Sequence, residues 1–355
     1  MQVKNRKVAV LSGDGTIKLM DDEIPQVTKG KLLIKTTKSL VSPGTELKGW
    51  DALAKQKSEP ALLDKPKKFG YSLSGVVEEV GEGVNPRFKK GMRVAAIGAG
   101  FALHSTYAVV PQNLCIPILD NVSDDEAAYS MLLATAMQAV RRADPALGEY
   151  YIISGLGIVG LLSGKLLQLN GCFVAGIDQH QERVDLAKSW GFDDAYLDSD
   201  SALDDKLNAF ANNEGFDGAV VAFGGQAEEA MDTIVKHTRI CPDLHHTGTI
   251  VTVGWPKFTY NGEIGQMNNI DLRRSSRTGA GYHDAEWEIS DKDYPEVLVR
   301  WSTQRNLDLC MRLMSKKRID VNALTTHHIP LKNVENEIEK IIDHPEKILG
   351  VLFEN

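Results

Sequence analysis

Three glycines in "YYIISGLGIVG" carry the clearest chemical signal in the chain. Gly155, Gly157 and Gly160 follow a run of strand formers and open a helical run in the spacing G-x-G-x-x-G. The first glycine allows a tight turn, the second lets backbone approach a pyrophosphate, and the third permits close helix–strand packing. Together with Ile158 and Val159 they present the free N–H groups of a helix N-terminus to that phosphate. The next strand-like run, "CFVAGID", ends in Asp178. A carboxylate there accepts both hydroxyls of an adenosine ribose and repels a 2′-phosphate, which selects NAD over NADP. The plainer alternative is that the glycines only make turns and Asp178 caps the following helix. Phe223-Gly224-Gly225, Val253-Gly254-Trp255 and Gly279-Ala280-Gly281 also follow strand-like runs, where open α/β sheets bind ligands. Their backbones suit the nicotinamide end, and an ordinary turn remains open for each.

The elements that must position these residues fall into two textures. The first third is β-rich: "KVAVLS", "KLLIKTTKSLVS", "LSGVVEEVG", "MRVAAIG" and the pair in "HSTYAVVPQNLCIPIL" are short runs between glycines, prolines and charges. "SDDEAAYSMLLATAMQAVRRA" then begins with a capping box, Ser123 to Glu126, and predicts a helix ended by Asp144-Pro145 and Gly148. From Glu149 strands and helices alternate, with strands at "YYIIS", "CFVAGID", "DAYL", "GAVVAF" and "GTIVTVG" and helices near Leu162, Val184, Leu207 and Met231. That alternation predicts an α/β unit with a doubly wound parallel sheet covered on both faces. Beyond Arg277 the order is irregular, with helices over "LVRWSTQRNLDLCMRLMSKK" and "KNVENEIEKIID" and a closing strand in "KILGVLFEN".

A chain of 355 residues favours two domains. A net charge of -8 argues against a nucleic-acid partner, because phosphate binding draws on basic patches. "MQVKNRKVAV" lacks the apolar core of a signal peptide, and no apolar run approaches the roughly 20 residues that cross a bilayer. Cys115, Cys172, Cys241 and Cys310 lie too far apart for a zinc knuckle and suit reducing surroundings. A cytoplasmic chain is expected.

The motifs "SPGTEL", "GYSLSGVVEEVGEGV", "KKGMRVAA", "YAVVPQNLCIPI", "LLATAMQAVRRADPALGE" and "GLGIVG" resemble the medium-chain dehydrogenase/reductase superfamily over essentially the whole chain. The resemblance implies a GroES-like β-rich catalytic domain at 1–122 and 284–355, and a Rossmann NAD-binding domain at 123–283. It also places Thr135 with the cofactor. It implies a small-molecule alcohol or ketone substrate and a homodimer or homotetramer.

Zinc-dependent relatives hold their catalytic metal on a cysteine in Cys-x-Thr-Asp, a histidine in Gly-His-Glu and a third Cys or carboxylate on a later helix. Those positions here carry Pro43, Tyr71 and approximately Met131. Proline cannot ligate, tyrosine seldom binds zinc, and a thioether suits softer ions. The structural-zinc lobe of many relatives is absent as well, so no metal is expected. The variants "SPGTE" and "GYS" resemble a zinc-lacking branch that includes relatives of chlorophyllide hydroxyethyl dehydrogenase and of sugar- or cyclitol-modifying dehydrogenases.

By the resemblance, Thr45, Lys48, Tyr71 and Ser72 surround the position zinc would hold. Thr45 matches the family's relay hydroxyl, and Lys48 falls where some relatives place a relay histidine. Tyr71 is then the expected acid/base, with Lys48 favouring its phenolate by charge. The competing reading is that Tyr71 only fills space and stacks on substrate. His104 is a second candidate base or a structural histidine. Trp255, Tyr282 and His283 complete the candidate substrate set, with Asp284, Trp287, Arg300 and Trp301 nearby in sequence. Aromatic and hydrogen-bonding groups together suit a sugar-like ligand, while helical apolar spacing favours Trp301 as core. Nine lysines against four acids between Lys31 and Lys68 read either as a draw for an anionic substrate or as a solvated loop.

The leading expectation is an NAD-dependent enzyme that interconverts a polyol, cyclitol or sugar hydroxyl with a ketone. A zinc-free quinone or enone reductase is a second reading, and a non-catalytic nucleotide-binding protein a third.

Overall fold

The computed structural model describes residues 5–61, 63, 65–259 and 269–355. The chain forms two compact units, Met1–Ala134 with Thr278–Asn355, and Thr135–Arg277.

In the second unit, strands Tyr150–Ser154, Phe173–Asp178, Asp194–Leu197, Gly218–Val221, His246–Thr252 and Asn269–Arg274 pair in parallel. Numbered in chain order, their spatial order is 3-2-1-4-5-6, the Rossmann arrangement. Arg239–Ile240 adds a short antiparallel piece on His246–Thr252. The central strands are buried on both faces, which explains their near-continuous apolar sequence. Ile152, Ala175, Ala219, Val221 and Ile250 pack with Leu203, Leu207, Met231 and Ile234 of the covering helices. The first strand ends beside the glycine turn, and helix Ile158–Leu169 starts from Gly157.

The first unit is a mixed β structure. Strands Thr325–Pro330, Gly350–Glu354, Lys31–Leu40, Ser72–Val80, Arg93–Ile97 and Cys115–Pro117 form its main sheet in that order, and Tyr107–Pro111 also pairs with Lys31–Leu40. A smaller sheet joins Ile17–Glu23, Asn5–Leu11 and Lys67–Lys68. Trp50, Leu53, Phe69, Ile329, Val334, Ile338 and Phe353 share one buried cluster. Burying such side chains is worth about 1.5–3 kcal/mol each, which ties the turn around Trp50 to the C-terminal strands.

The sequence differs from this structure at several points. The helix expected from Ser123 onward is two, Asp124–Ala128 and Ser130–Ala143. The first carries the expected capping box, and Arg93 ties it to the β-rich unit through Asp124 at 2.6 Å. The division between units accordingly falls at Ala134, later than the expected 122. At the other end, residues 278–283 join the first unit, where Ala280 bridges to Ser302 and the Tyr282 hydroxyl accepts from the Ala99 amide at 2.8 Å. Helix Thr303–Ser315 starts only after Ser302 caps it, so Trp301 precedes the helix and is 38% exposed. Trp287, not Trp301, is core.

Candidate functional site

In the second unit the glycine turn has the properties a dinucleotide requires. Gly155 takes a φ of 92°, in the left-handed region. A Cβ on Gly160 would stand 1.9 Å from the Gly155 carbonyl oxygen, so only glycine lets the helix start so close to the turn. Around Gly157 the same test meets nothing within 4 Å, which leaves the backbone open to an incoming phosphate. Ile158 is buried and Val159 half-buried behind the turn.

Asp178 closes on this turn. Its Oδ2 accepts the Leu156 amide at 2.7 Å, and its Oδ1 accepts the His180 amide at 2.9 Å. His180 is the residue before helix Gln181–Ser189, so the capping role and the turn-binding role coexist. Each carboxylate oxygen retains a lone pair for a ribose hydroxyl. Phe223 packs where a Gly155 side chain would lie, Val253 is buried at the end of its strand, and Gly254 is exposed beside the Phe223 carbonyl. Thr135 is half-buried at the start of this unit. The residues present fit a dinucleotide. Gly279 belongs to the first unit, next to the Asn306 amide. Trp255 is 67% exposed, with the Arg274 guanidinium 5.2 Å from its ring centre.

A second concavity in this unit, lined by Glu149, Asp217, Thr247, Gly248, Thr249, Asn269 and Asp271, lies at the opposite ends of the strands. The Tyr150 amide and Arg239 already occupy the Asp217 carboxylate, so it offers little to a ligand.

In the first unit, one wide turn, Pro43–Leu47, carries Thr45 and ends at Lys48. Tyr71 is buried, and its phenol lies within hydrogen-bonding reach of the Ser42 and Thr45 hydroxyls. Burial first, then the charge of Glu46, pushes that phenol well above the ordinary tyrosine value. The Ser42 and Thr45 hydrogen bonds oppose the rise without cancelling it, and Tyr282 adds to it. The expected lowering by Lys48 is therefore reversed. Lys48 is exposed at the end of the turn, and the ionisable charge that acts on Tyr71 is an acid from the same turn.

Three other expected residues also take different places. His104 is fully buried, its Nε2 3.3 Å from Glu46 Oε2 and its Nδ1 2.9 Å from the Ser39 hydroxyl. Its ring meets Phe69 and Phe353 edge-on, at 4.8 and 4.9 Å between centroids. It is a buried partner of Glu46, not a substrate contact. Ser72 is buried and its hydroxyl donates to the Ala128 carbonyl at 2.6 Å, which commits it to joining strand and helix. Tyr282 is buried with its hydroxyl accepting from Ala99, while the exposed His283 stacks on it at 4.2 Å. Lys38, Lys55, Lys57 and Lys68 of the lysine-rich region are paired with acids, and Asp64 of that region lies outside the described residues.

Sequence reasoning missed Glu46 and Ser39. The only available signal for Glu46 was an acid one residue beyond the relay threonine, and its partner His104 lies 58 positions away.

Zinc does not fit the residues at the family's three ligand positions. Pro43 offers no donor, the Tyr71 phenol is held protonated by burial, and Met131 offers only a thioether. Among the described residues no three His, Cys, Asp or Glu side chains gather as a metal site requires.

Residues 159–302 match the family model for zinc-binding dehydrogenase. The L-threonine 3-dehydrogenase of Rhizobium etli is 28% identical over 245 residues, 61% of this chain and 68% of that protein. Among solved structures, Bacillus subtilis 2R,3R-butanediol dehydrogenase superposes with a TM-score of 0.75 at 19% identity, covering 99% of each chain. An Escherichia coli alcohol dehydrogenase in complex with NADH superposes with a TM-score of 0.74 at 18% identity, over 99% of this chain and 100% of that one. These solved structures share the chain's fold over nearly its whole length.

Proposed function

We propose that this chain is a zinc-independent, NAD-dependent dehydrogenase that interconverts a secondary alcohol with a ketone, the alcohol being a polyol, cyclitol or sugar hydroxyl. The observation that carries the reading is the pair of turns already described: Asp178 closed on Gly155–Gly160, and Tyr71 standing where the family places a metal ligand.

The backbone amides of the glycine turn hold the pyrophosphate, and Asp178 accepts the ribose hydroxyls. NAD, when bound, supplies the hydride acceptor. Tyr71, kept as a neutral phenol, donates a hydrogen bond to the substrate oxygen and gives its proton when a ketone is reduced. Thr45 holds the phenol at its working angle. The neutral phenol replaces the Lewis acid of zinc relatives with a proton donor, a weaker polariser that still serves reversible hydride chemistry.

No helix among the described residues is long and apolar enough to cross a membrane. The four cysteines carry no disulfide, which agrees with a reducing, cytoplasmic setting. The family resemblance supports a homodimer or homotetramer.

The test is a panel of polyols, cyclitols, sugars, L-threonine and 2,3-butanediol with NAD, read as NADH absorbance on protein whose metal content is measured by emission spectroscopy. Turnover by zinc-free protein is the expected result. Stoichiometric zinc at the Tyr71 turn, or NADH that fails to bind, overturns the reading.

A further inference from the structure

We propose that Arg274, held against Trp255, is a subsite for an anionic group on the substrate, a phosphate or a carboxylate borne by the polyol or sugar. The inference deepens the proposed dehydrogenase function by naming the class of its substrate, and it rests on that reading.

The place of the pair comes from the sheet. In a 3-2-1-4-5-6 arrangement the first three strands serve one mononucleotide and the last three the other, all at their carboxyl ends. Asp178 and the glycine turn follow the second and first strands, so the adenosine side falls to them. The other side is built from the ends of Gly218–Val221, His246–Thr252 and Asn269–Arg274. Phe223, just past the fourth strand, packs against Gly155 of the glycine turn. Two residues on, the Gly225 amide donates to the Trp255 carbonyl at 3.2 Å, which ties the turn after the fourth strand to the turn after the fifth. Arg274 ends the sixth strand directly beside Thr252, the last residue of the fifth. The three strand ends form one shelf, on the side of the sheet where the nicotinamide half and its substrate are received.

The way Arg274 is held sets it apart from its neighbour. Arg273 is fully engaged, donating to Asp271 at 2.7 Å and to the Arg142 carbonyl at 3.1 Å. Arg274 has no acid beside it among the described residues. It donates one hydrogen bond, to the Gly254 carbonyl at 3.2 Å, and its guanidinium lies over the Trp255 ring at 5.2 Å from the centre. Both residues are exposed, Trp255 by 67%.

Stacking restrains a guanidinium without consuming its N–H edge. That edge is the part that meets a carboxylate or phosphate through paired, charge-assisted hydrogen bonds. Arg274 is therefore steadied by an indole and a carbonyl while most of its donors stay open. In a chain of net charge -8 it is not one cation among many on a basic surface. A substrate anion supplies the partner that the fold withholds, and the exposed indole gives the carbon chain an apolar surface to lie against.

The test has a binding arm and a kinetic arm. In the first, protein with and without NAD is titrated with inorganic phosphate and separately with acetate, and tryptophan emission is followed. The parent should show a saturable change that Trp255→Phe loses and that Arg274→Gln shifts to about tenfold higher anion concentration or beyond. In the second, uncharged polyols, their monophosphates and the corresponding sugar acids are compared with NAD as hydride acceptor. The parent should favour the phosphates or the acids by roughly 10–100-fold in kcat/KM, and the better of the two identifies the anion. Arg274→Gln should collapse that preference chiefly through KM, with NADH affinity held. Arg274→Lys should restore part of it, because lysine keeps the charge and loses the fork.

A parent that prefers uncharged polyols overturns the subsite, as does an Arg274→Gln protein whose preference equals the parent's. If no compound turns over, an anion titration unmoved by Arg274→Gln overturns it alone. Failure of NADH to bind overturns the dehydrogenase reading instead, and the cofactor-free titration still reads Arg274.

Discussion

The Asp178 carboxylate and the Leu156 amide are joined at 2.7 Å, so the acid that ends one strand also fixes the turn that ends its neighbour. On the proposed reading, replacing Asp178 with serine removes the repulsion of a 2′-phosphate as well as this brace. The expected outcome is a fall of at least about tenfold in the NAD-to-NADP ratio of kcat/KM, with roughly 1 kcal/mol lost in a denaturant titration. A ratio that does not move would remove Asp178 from the cofactor assignment.

Gly160→Ala places a methyl group 1.9 Å from the Gly155 oxygen, well inside contact distance. The helix must draw back from the turn. We expect about 1–3 kcal/mol of destabilisation together with loss of NADH binding, read as cofactor fluorescence. Full NADH affinity in a folded Gly160→Ala protein would show that the turn does not cradle the pyrophosphate.

Tyr71→Phe keeps the ring that fills the space and deletes only the hydroxyl. Turnover is expected to fall by roughly 10²–10⁴-fold while NADH affinity stays at the parent value. Near-normal turnover would leave Tyr71 a packing residue.

The pH dependence of stability is carried in part by Asp22. Burial works to raise its carboxyl, and hydrogen bonds from Lys68 and from Arg6, at 2.5 and 2.7 Å, outweigh that and leave it below the ordinary carboxylate value. Because the folded value lies below the unfolded one, the contribution is present above the unfolded value, about 3.9, and is lost as pH falls through the folded value. Asp22→Asn should cost about 1–2 kcal/mol near neutrality and flatten the acid limb of an unfolding curve measured against pH. An acid limb as steep as the parent's would show that Asp22 is not a main contributor.

The parts of this molecule that could be read from sequence are those whose cause is local. The glycine spacing, the acid at the end of the following strand and the Ser123–Glu126 capping box each depend on neighbours within about twenty residues, and each is found where expected. The Trp301 expectation failed because helical spacing ran past the true start, where Ser302 caps the helix through the Arg305 amide. The strands Ile17–Glu23 and Thr325–Pro330 were missed because charges and histidines fill them, and pairing with Asn5–Leu11 and Gly350–Glu354 decides their state instead. The surroundings of Tyr71 were the least legible. Glu46, His104 and Ser39 meet only through the pairing of distant strands, and a charge counted along the sequence suggested Lys48 where the fold supplies an acid.

Strand Lys31–Leu40 sits between Ser72–Val80 and Gly350–Glu354. On that second edge Tyr107–Pro111 already covers Lys31–Lys35, so only Lys38–Leu40 wait for Gly350–Glu354, whereas Thr135–Arg277 is contiguous in sequence and can complete its sheet before that pairing forms. A chain cut just short of Gly350 would leave the Lys38–Leu40 end of that strand with unpaired backbone groups, a short open edge in the half that carries Tyr71.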